Sequence, residues 1–213
     1  MILSENIIVN IAKNYKFFIK TRKKTMANSF SDSQLVWTEG EKEILLKTPI
    51  ATVCQTPATA SDGQKHNYIS IDSRDWVAVI PVKDENFIMV KQWRHGEKAL
   101  SIEFPGGVID DGESPLQGAI RELKEETGCV AEKMLYLGKI NPNPAFMTNH
   151  FHVFAAFDLK ETGSQNLDSD EYLNYLEMPK NEVYEKMGTP QMPHALMCSA
   201  LMLFRQAEDS GSF

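Results

Sequence analysis

Cysteine is scarce. The three in 213 residues, Cys54, Cys129 and Cys198, are odd in number, far apart and never in a Cys-x-x-Cys pair. That excludes a disulfide framework and a zinc cluster and favours a reducing, cytoplasmic setting. Long apolar runs are missing too: none approaches the ~20 residues that cross a bilayer, so no membrane span is expected. Positive charge is in deficit, with 22 basic against 29 acidic groups and a net charge of −7. The deficit is uneven. Residues 1–25 hold six basic groups and one acid, which leaves 16 basic and 28 acidic groups on the remainder. An acidic body is a poor non-specific binder of nucleic acid. If it handles anionic substrates, it needs cations from outside, which points toward metal ions. Internal repeats and low-complexity tracts are not evident.

What is present reads as a soluble globular chain, 42% hydrophobic and 24% charged, long enough to bury a core without staples. In residues 1–25, Ile8, Ile11, Ala12, Tyr15, Phe18 and Ile19 recur at helical spacing between lysines. Three readings stay open for this basic extension: a leader ahead of a true start at Met26, a targeting helix, or a membrane-surface helix. In each case it is expected to be dispensable for activity. Residues 26–72 read as a small β region, with strands at 35–37, 44–46, 50–54 and 67–71 separated by turn formers. From residue 73 to 213 the pattern changes to a mixed sheet with helices against it. Residues 76–82 and 87–92 form a hairpin of buried strands; further strands lie near 134–140 and 150–157, and helices over 182–187 and 193–206. His150 and His152 share a strand face; hydrogen bonding or packing is their expected use, a metal pair the alternative.

One segment carries chemistry, Gly107 to Cys129. Ser114 suits an N-cap, Pro115 the first helical position and Gln117 the return half of a capping box. Leu116, Ala119, Ile120, Leu123 and Thr127 follow at i, i+3/i+4, i+7 spacing, and Gly128 stands where a left-handed C-cap belongs. The spacing predicts a helix over 115–127. Glu122, Glu125 and Glu126 then fall within about 100° of its surface, where like charges cost roughly 0.2–0.5 kcal/mol per pair. A glycine-rich loop containing Glu113 feeds this face. Loop and face together suit a hard divalent cation, since all-oxygen ligands favour Mg2+ or Mn2+ over zinc.

These residues resemble the signature of the Nudix hydrolases, G-x5-E-x7-R-E-U-x-E-E-x-G-U with U a bulky apolar residue. Gly107, Glu113, Arg121, Glu122, Leu123, Glu125, Glu126 and Gly128 all fall in place; Cys129, at the last apolar position, is a small hydrophobe that should be tolerated. The resemblance implies an α+β chain. Its core would be the Nudix α/β/α sandwich, a mixed sheet flanked by helices, beside a small N-terminal antiparallel β region. It also implies hydrolysis of a nucleoside diphosphate derivative with bound Mg2+ or Mn2+. By the same carry-over Glu122, Glu126 and the backbone carbonyl of Gly106 are metal ligands, Glu125 binds or orders a further ion or its water, Glu113 supports the loop or joins the metal shell, and Arg121 holds a box carboxylate in register.

Flanking segments are similar to the ADP-ribose and nucleotide-sugar pyrophosphatases: Asp75–Pro81 to their first core strand, Val90–Gly96 to their V-x-Q-Y/W-R-x-G strand, and Ile102–Gly107 to their E-x-P-A/G-G lead-in. On that resemblance Arg94 contacts the substrate phosphates, with Trp93 beside it. Glu103 joins a second metal or the sugar contacts, and Phe146 lies over the base or sugar. The catalytic base comes from the acidic stretch 167–172, Asp170 or Glu171, with Glu125 as the alternative. Residues 26–72 exchange between subunits and complete the partner's pocket, so a homodimer is expected, with Trp37, Tyr68 or Arg74 near the base. The implied reaction splits ADP-ribose or a nucleotide sugar into a nucleoside monophosphate and a sugar phosphate. A house-cleaning hydrolase of modified nucleoside triphosphates and a non-catalytic ligand sensor are the competing readings. The first is usually shorter and without the early strands; the second often lacks a box glutamate that this chain keeps.

Overall fold

The computed structural model describes residues 30–163, 165–167, 169 and 171–213; the basic extension 1–25 lies outside them. Two compact units are distinguished, residues 30–39 with 58–66, and residues 40–57 with 67–213. In the smaller unit the one-turn helix α1 (Asp32–Leu35) takes Leu35, the first residue of the stretch 35–37 that reads as a strand from sequence, and Val36 and Trp37 lie outside any strand. The Gln34 side chain accepts from the Ser31 N–H at 2.9 Å, an N-terminal capping contact that closes a turn ahead of the short β1 (Thr38–Glu39). β1 runs antiparallel to the end of β3 (Thr52–Thr59), Thr38 opposite Thr59. β2 (Glu43–Lys47) pairs with the first half of β3, and β4 (Lys65–Asp72) lies on β3 as well, which gives a four-stranded sheet.

The larger unit is built on a six-stranded mixed sheet in the order β10–β6–β5–β9–β8, with β7 beside β6. Its strands are β5 (Trp76–Lys83), β6 (Asn86–Arg94), β7 (Ala99–Glu103), β8 (Cys129–Ile140), β9 (Phe151–Glu161) and β10 (Leu173–Pro179). β5 and β9 are parallel; the other pairs are antiparallel. Alternation of side chains sorts the central strands onto two faces. Val77, Val79, Ile88, Phe154 and Ala156 pack with Ala119 and Leu123 of α2 (Pro115–Thr127). Ala78, Ile80, Phe87, Met89, Val153 and Ala155 pack with Val183 of α3 (Lys180–Lys186) and with Ala200, Leu201 and Phe204 of α4 (Ala195–Asp209). Covering both faces accounts for the unbroken apolar runs of β5 and β6.

The sheet opens where the chemistry sits. β5 and β6 pair only at Val82↔Phe87 and Lys83↔Asn86, next to their turn. Toward its start β5 is met instead by the loop after β7. The Val79 and Val77 N–H groups donate to the carbonyls of Pro105 and Gly107 at 2.8 and 2.9 Å, and the Ile109 N–H donates to the Asp75 carbonyl at 2.9 Å. Gly106, at φ +155°, has no room for a side chain: a Cβ would stand 2.1 Å from the Val77 carbonyl oxygen. The loop therefore lies on the strand edge and delivers its backbone to the start of α2.

Candidate active site

Helix α2 begins and ends where its caps place it. The Ser114 side chain accepts from the Gln117 N–H, Gln117 Oε1 accepts from the Ser114 N–H at 2.8 Å, and Gly128 closes the helix at φ 68°, ψ 16°. These fixed ends set the rotation of the helix, and the rotation buries Glu122 and Glu126, 6% and 2% exposed. Glu126 Oε2 accepts from the Gly106 N–H at 2.7 Å. Glu122 faces the neighbouring glycine so closely that a Cβ at Gly107 would meet its Oε1 at 2.5 Å. Burial, with the charges of Glu171 and Glu125 adding, pushes Glu122 up to about 7 despite Arg121. Burial first, then the neighbouring charge of Glu122, drives Glu126 well above the ordinary carboxyl range.

Arg121 organises the outer side of this pair. Its Nε and Nη2 donate to the two oxygens of Glu113, each at 3.0 Å, and Nη2 reaches the Val108 carbonyl at 2.9 Å. Its Nη1 donates to Glu122 Oε1 at 2.9 Å and to Glu125 Oε2 at 3.0 Å. Hydrogen bonding to Glu113 above all keeps the guanidinium charged, and in return holds the Glu113 carboxyl below its usual value. Glu113 also accepts from the Asp110 N–H at 3.1 Å, so both of its oxygens are occupied in fastening the loop to the helix.

Arg94 and Glu103 form a second fixed element. Arg94 Nε and Nη2 donate to the two oxygens of Glu103 at 2.8 and 2.5 Å, a bidentate fork across the β6–β7 pair of the kind guanidinium geometry favours. Glu103 is fully buried. Burial works against its charge, but the Arg94 guanidinium outweighs it and keeps the carboxyl below its usual value. Glu126 and Glu171 both act electrostatically on Arg94, so the fork stands close to the acidic cradle. The loop before β10 docks on the end of α2, where Gln165 Nε2 and the Asn166 N–H donate to the carbonyls of Glu126 and Glu125 at 2.5 and 2.9 Å. Glu171 follows this docked segment; Asp170 lies outside the described residues.

The structure thus brings Glu113, Arg121, Glu122, Glu125, Glu126 and Gly106 together, with Arg94 and Glu171 within electrostatic reach and Glu103 joined to them through Arg94. Trp93 is half exposed on the face of β6 opposite Arg94. Phe146 is 41% exposed in the β8–β9 loop, where its carbonyl accepts from the Ile71 N–H at 2.7 Å. His152 is held by Asp75 Oδ2 at 3.1 Å and by the Tyr136 hydroxyl at 3.3 Å, and the His150 N–H donates to Asp75 Oδ1 at 2.7 Å. Hydrogen bonding, the first of the two readings, is what engages this pair. Sequence reasoning missed a cavity of about 250 Å3 beside the glycine loop and Arg94, walled by Trp76, Phe151 and Met197 and reached by His194. Its only trace in the sequence is Pro193-His194 at the head of α4.

As a metal cradle the donor set is open. Among the described residues no three His, Cys, Asp or Glu side chains converge into a closed cage. The groups that could serve as donors are Glu122, Glu126 and the carbonyl of Gly106, which receives no hydrogen bond from the described residues, whereas its neighbours Pro105 and Gly107 are both used by β5. Two adjacent buried carboxylates that resist ionisation, beside an unused carbonyl, are the donor chemistry of a hard divalent cation.

The NUDIX domain family model matches residues 73–197, more than half of the chain. The ADP compounds hydrolase NudE of Escherichia coli is 27% identical over 166 residues, 77% of this chain and 89% of that protein. The ADP-ribose pyrophosphatase of Bacillus subtilis is 32% identical over 134 residues, 62% of this chain and 72% of that one. A crystal structure of an ADP compounds hydrolase superposes with a TM-score of 0.76 at 26% identity, covering 86% of this chain and 100% of the other.

Proposed function

The chain belongs to the Nudix family and is a Nudix hydrolase, and from that premise we propose that it splits the pyrophosphate bond of ADP-ribose or a nucleotide sugar, releasing a nucleoside monophosphate and a sugar phosphate. Its relatives named for ADP compounds and ADP-ribose support this substrate class. The observation that carries the reading is the buried Glu122–Glu126 pair beside the unused Gly106 carbonyl.

Nudix hydrolases in general use divalent metal ions. Mg2+ or Mn2+ would be held here by Glu122, Glu126 and the Gly106 carbonyl, with Glu125 binding or ordering a further ion or its water. Such an ion would neutralise charge on phosphate oxygens and lower the pKa of water. Arg94 binds the diphosphate: with Nε and Nη2 committed to Glu103, its Nη1 remains for a phosphate oxygen. Glu103 keeps that donor aimed rather than touching substrate itself. Glu171 removes the proton from the attacking water, or Glu125 if the 167–172 segment does not supply the base. Arg121 and Glu113 hold the acidic face against its own repulsion.

The protein acts as a cytoplasmic homodimer. Residues 26–72 serve the dimer and the partner's pocket, with Phe146, Trp93, Trp37 and Tyr68 as the aromatic groups available to substrate. Exposed Ile44, Leu46, Ile50 and Ile69 are apolar surface that a second copy would cover. Incubation with Mg2+ and a panel of ADP-ribose, GDP-mannose, other nucleotide sugars, diadenosine polyphosphates and 8-oxo-dGTP, with products identified by mass, tests the assignment. Cleavage of ADP-ribose or a nucleotide sugar to a monophosphate and a sugar phosphate is expected. Turnover of the modified triphosphate alone would overturn it.

A further inference from the structure

We propose that the cavity beside the glycine loop is the subsite for the terminal sugar of the diphosphate substrate, with His194 as its hydrogen-bond donor. The proposal rests on the reading of this chain as a hydrolase of sugar-bearing diphosphates. Position comes first. Arg94, Gly106 and Gly107 line the cavity and also belong to the acidic cradle and its phosphate-binding arginine. A group in the cavity therefore sits next to the phosphate-binding arginine, the position of a sugar joined to the diphosphate rather than of a base held one ring further away. Size comes second. About 250 Å3 falls below the ~300–1,000 Å3 typical of pockets that enclose whole drug-sized ligands. That is the scale of a single sugar ring rather than of a whole nucleoside diphosphate.

Chemistry supports the same occupant. The walls are largely apolar, Trp76, Phe151, Leu196 and Met197 among them, and Arg94 and His194 are the charged or ionisable side chains that line it. His194 caps α4 through Nδ1, which accepts from the Leu196 N–H at 3.2 Å. Burial, with the charge of Arg94 adding and that of Glu103 opposing, lowers its proton affinity, so the ring is neutral at neutral pH. With Nδ1 accepting, the proton resides on Nε2. That N–H has no partner among the described residues and serves a hydroxyl in the cavity.

Calorimetry with two non-hydrolysable ligands, the α,β-methylene analogues of ADP-ribose and of ADP, isolates the sugar. His194→Ser keeps a capping oxygen on α4 and withdraws the donor. Val108→Trp fills the cavity from its rim, where Val108 is 42% exposed, and leaves the core alone. The wild type is expected to bind the sugar-bearing analogue more tightly. Each variant should cut that preference about tenfold, the scale of one lost hydrogen bond, with the ADP analogue unchanged. Equal effects on both ligands, or none, would overturn the subsite while leaving the hydrolase reading intact. Failure of the wild type to bind either would remove the reading beneath it.

Discussion

Glu126 accepts a backbone N–H on one oxygen, is almost fully buried and has a raised proton affinity, a combination that a cation resolves and a proton only tolerates. Replacing Glu126 by Gln removes a ligand charge with little change of shape. Since loss of a ligand's supporting contact alone commonly costs ~10–100-fold, turnover with Mg2+ should fall by more than ~10²-fold while the far-ultraviolet circular dichroism stays that of the wild type. Glu103 works differently, through Arg94. Glu103→Gln unbalances a buried ion pair, a change that costs about 3–5 kcal/mol when one partner is removed outright. A lower melting temperature and a weakened kcat/KM are expected, with Mg2+ affinity unchanged; an unaltered kcat/KM would show that Arg94 needs no strut. The pH dependence follows from Glu122, whose pKa of about 7 stands above the 4.5 of an ordinary glutamate. A raised carboxyl stabilises the fold fully below ~4.5, and that contribution is lost as pH rises through 7. Glu103 and Glu113, held low, act in a more acidic window. Without metal the melting temperature should thus fall between about pH 5 and pH 8, and saturating Mg2+ should raise it more at the higher pH. An equal rise at both would contradict the assignment.

Among the elements, α2 is the one whose limits the sequence reading matches residue for residue, because the signals at both ends are local: Ser114, Pro115 and Gln117 at the start, Gly128 at the end. The hairpin of β5 and β6 was legible from its two apolar runs. β7 and β10 were not, since Ala99–Glu103 and Leu173–Pro179 lie on the outer part of the sheet with mixed burial and owe their existence to pairing with β6. β8 starts at Cys129, before the predicted strand; its first residues pair with the end of β9, and the exposed polar Glu132 and Lys133 within it hid that part from the apolar pattern. The Arg94–Glu103 fork escaped notice as a pair for a similar reason, its partners meeting only once β7 folds back on β6. Gly107→Ala tests how closely loop and helix must approach. A Cβ 2.5 Å from Glu122 Oε1 has to displace the carboxylate, so Mg2+ affinity should drop at least tenfold with little loss of secondary structure.

For the whole molecule, the acidic body and the proposed cation cradle belong together: a chain with net charge −7 would draw a polyanionic substrate only where bound metal and Arg94 locally reverse the sign. Apolar residues exposed on β2 and β4 lead to an expected light-scattering mass near twice 24.1 kDa, and removal of residues 1–25 should leave kcat/KM unchanged. Those properties follow from the proposal; its centre is the metal. Isothermal titration of Mn2+ into the wild type and into Glu126→Gln, each with the α,β-methylene analogue of ADP-ribose present, addresses that centre most directly. The account predicts saturable uptake by the wild type and uptake weakened more than ~10²-fold in the variant. Equal uptake by both chains, or none by the wild type, would contradict it.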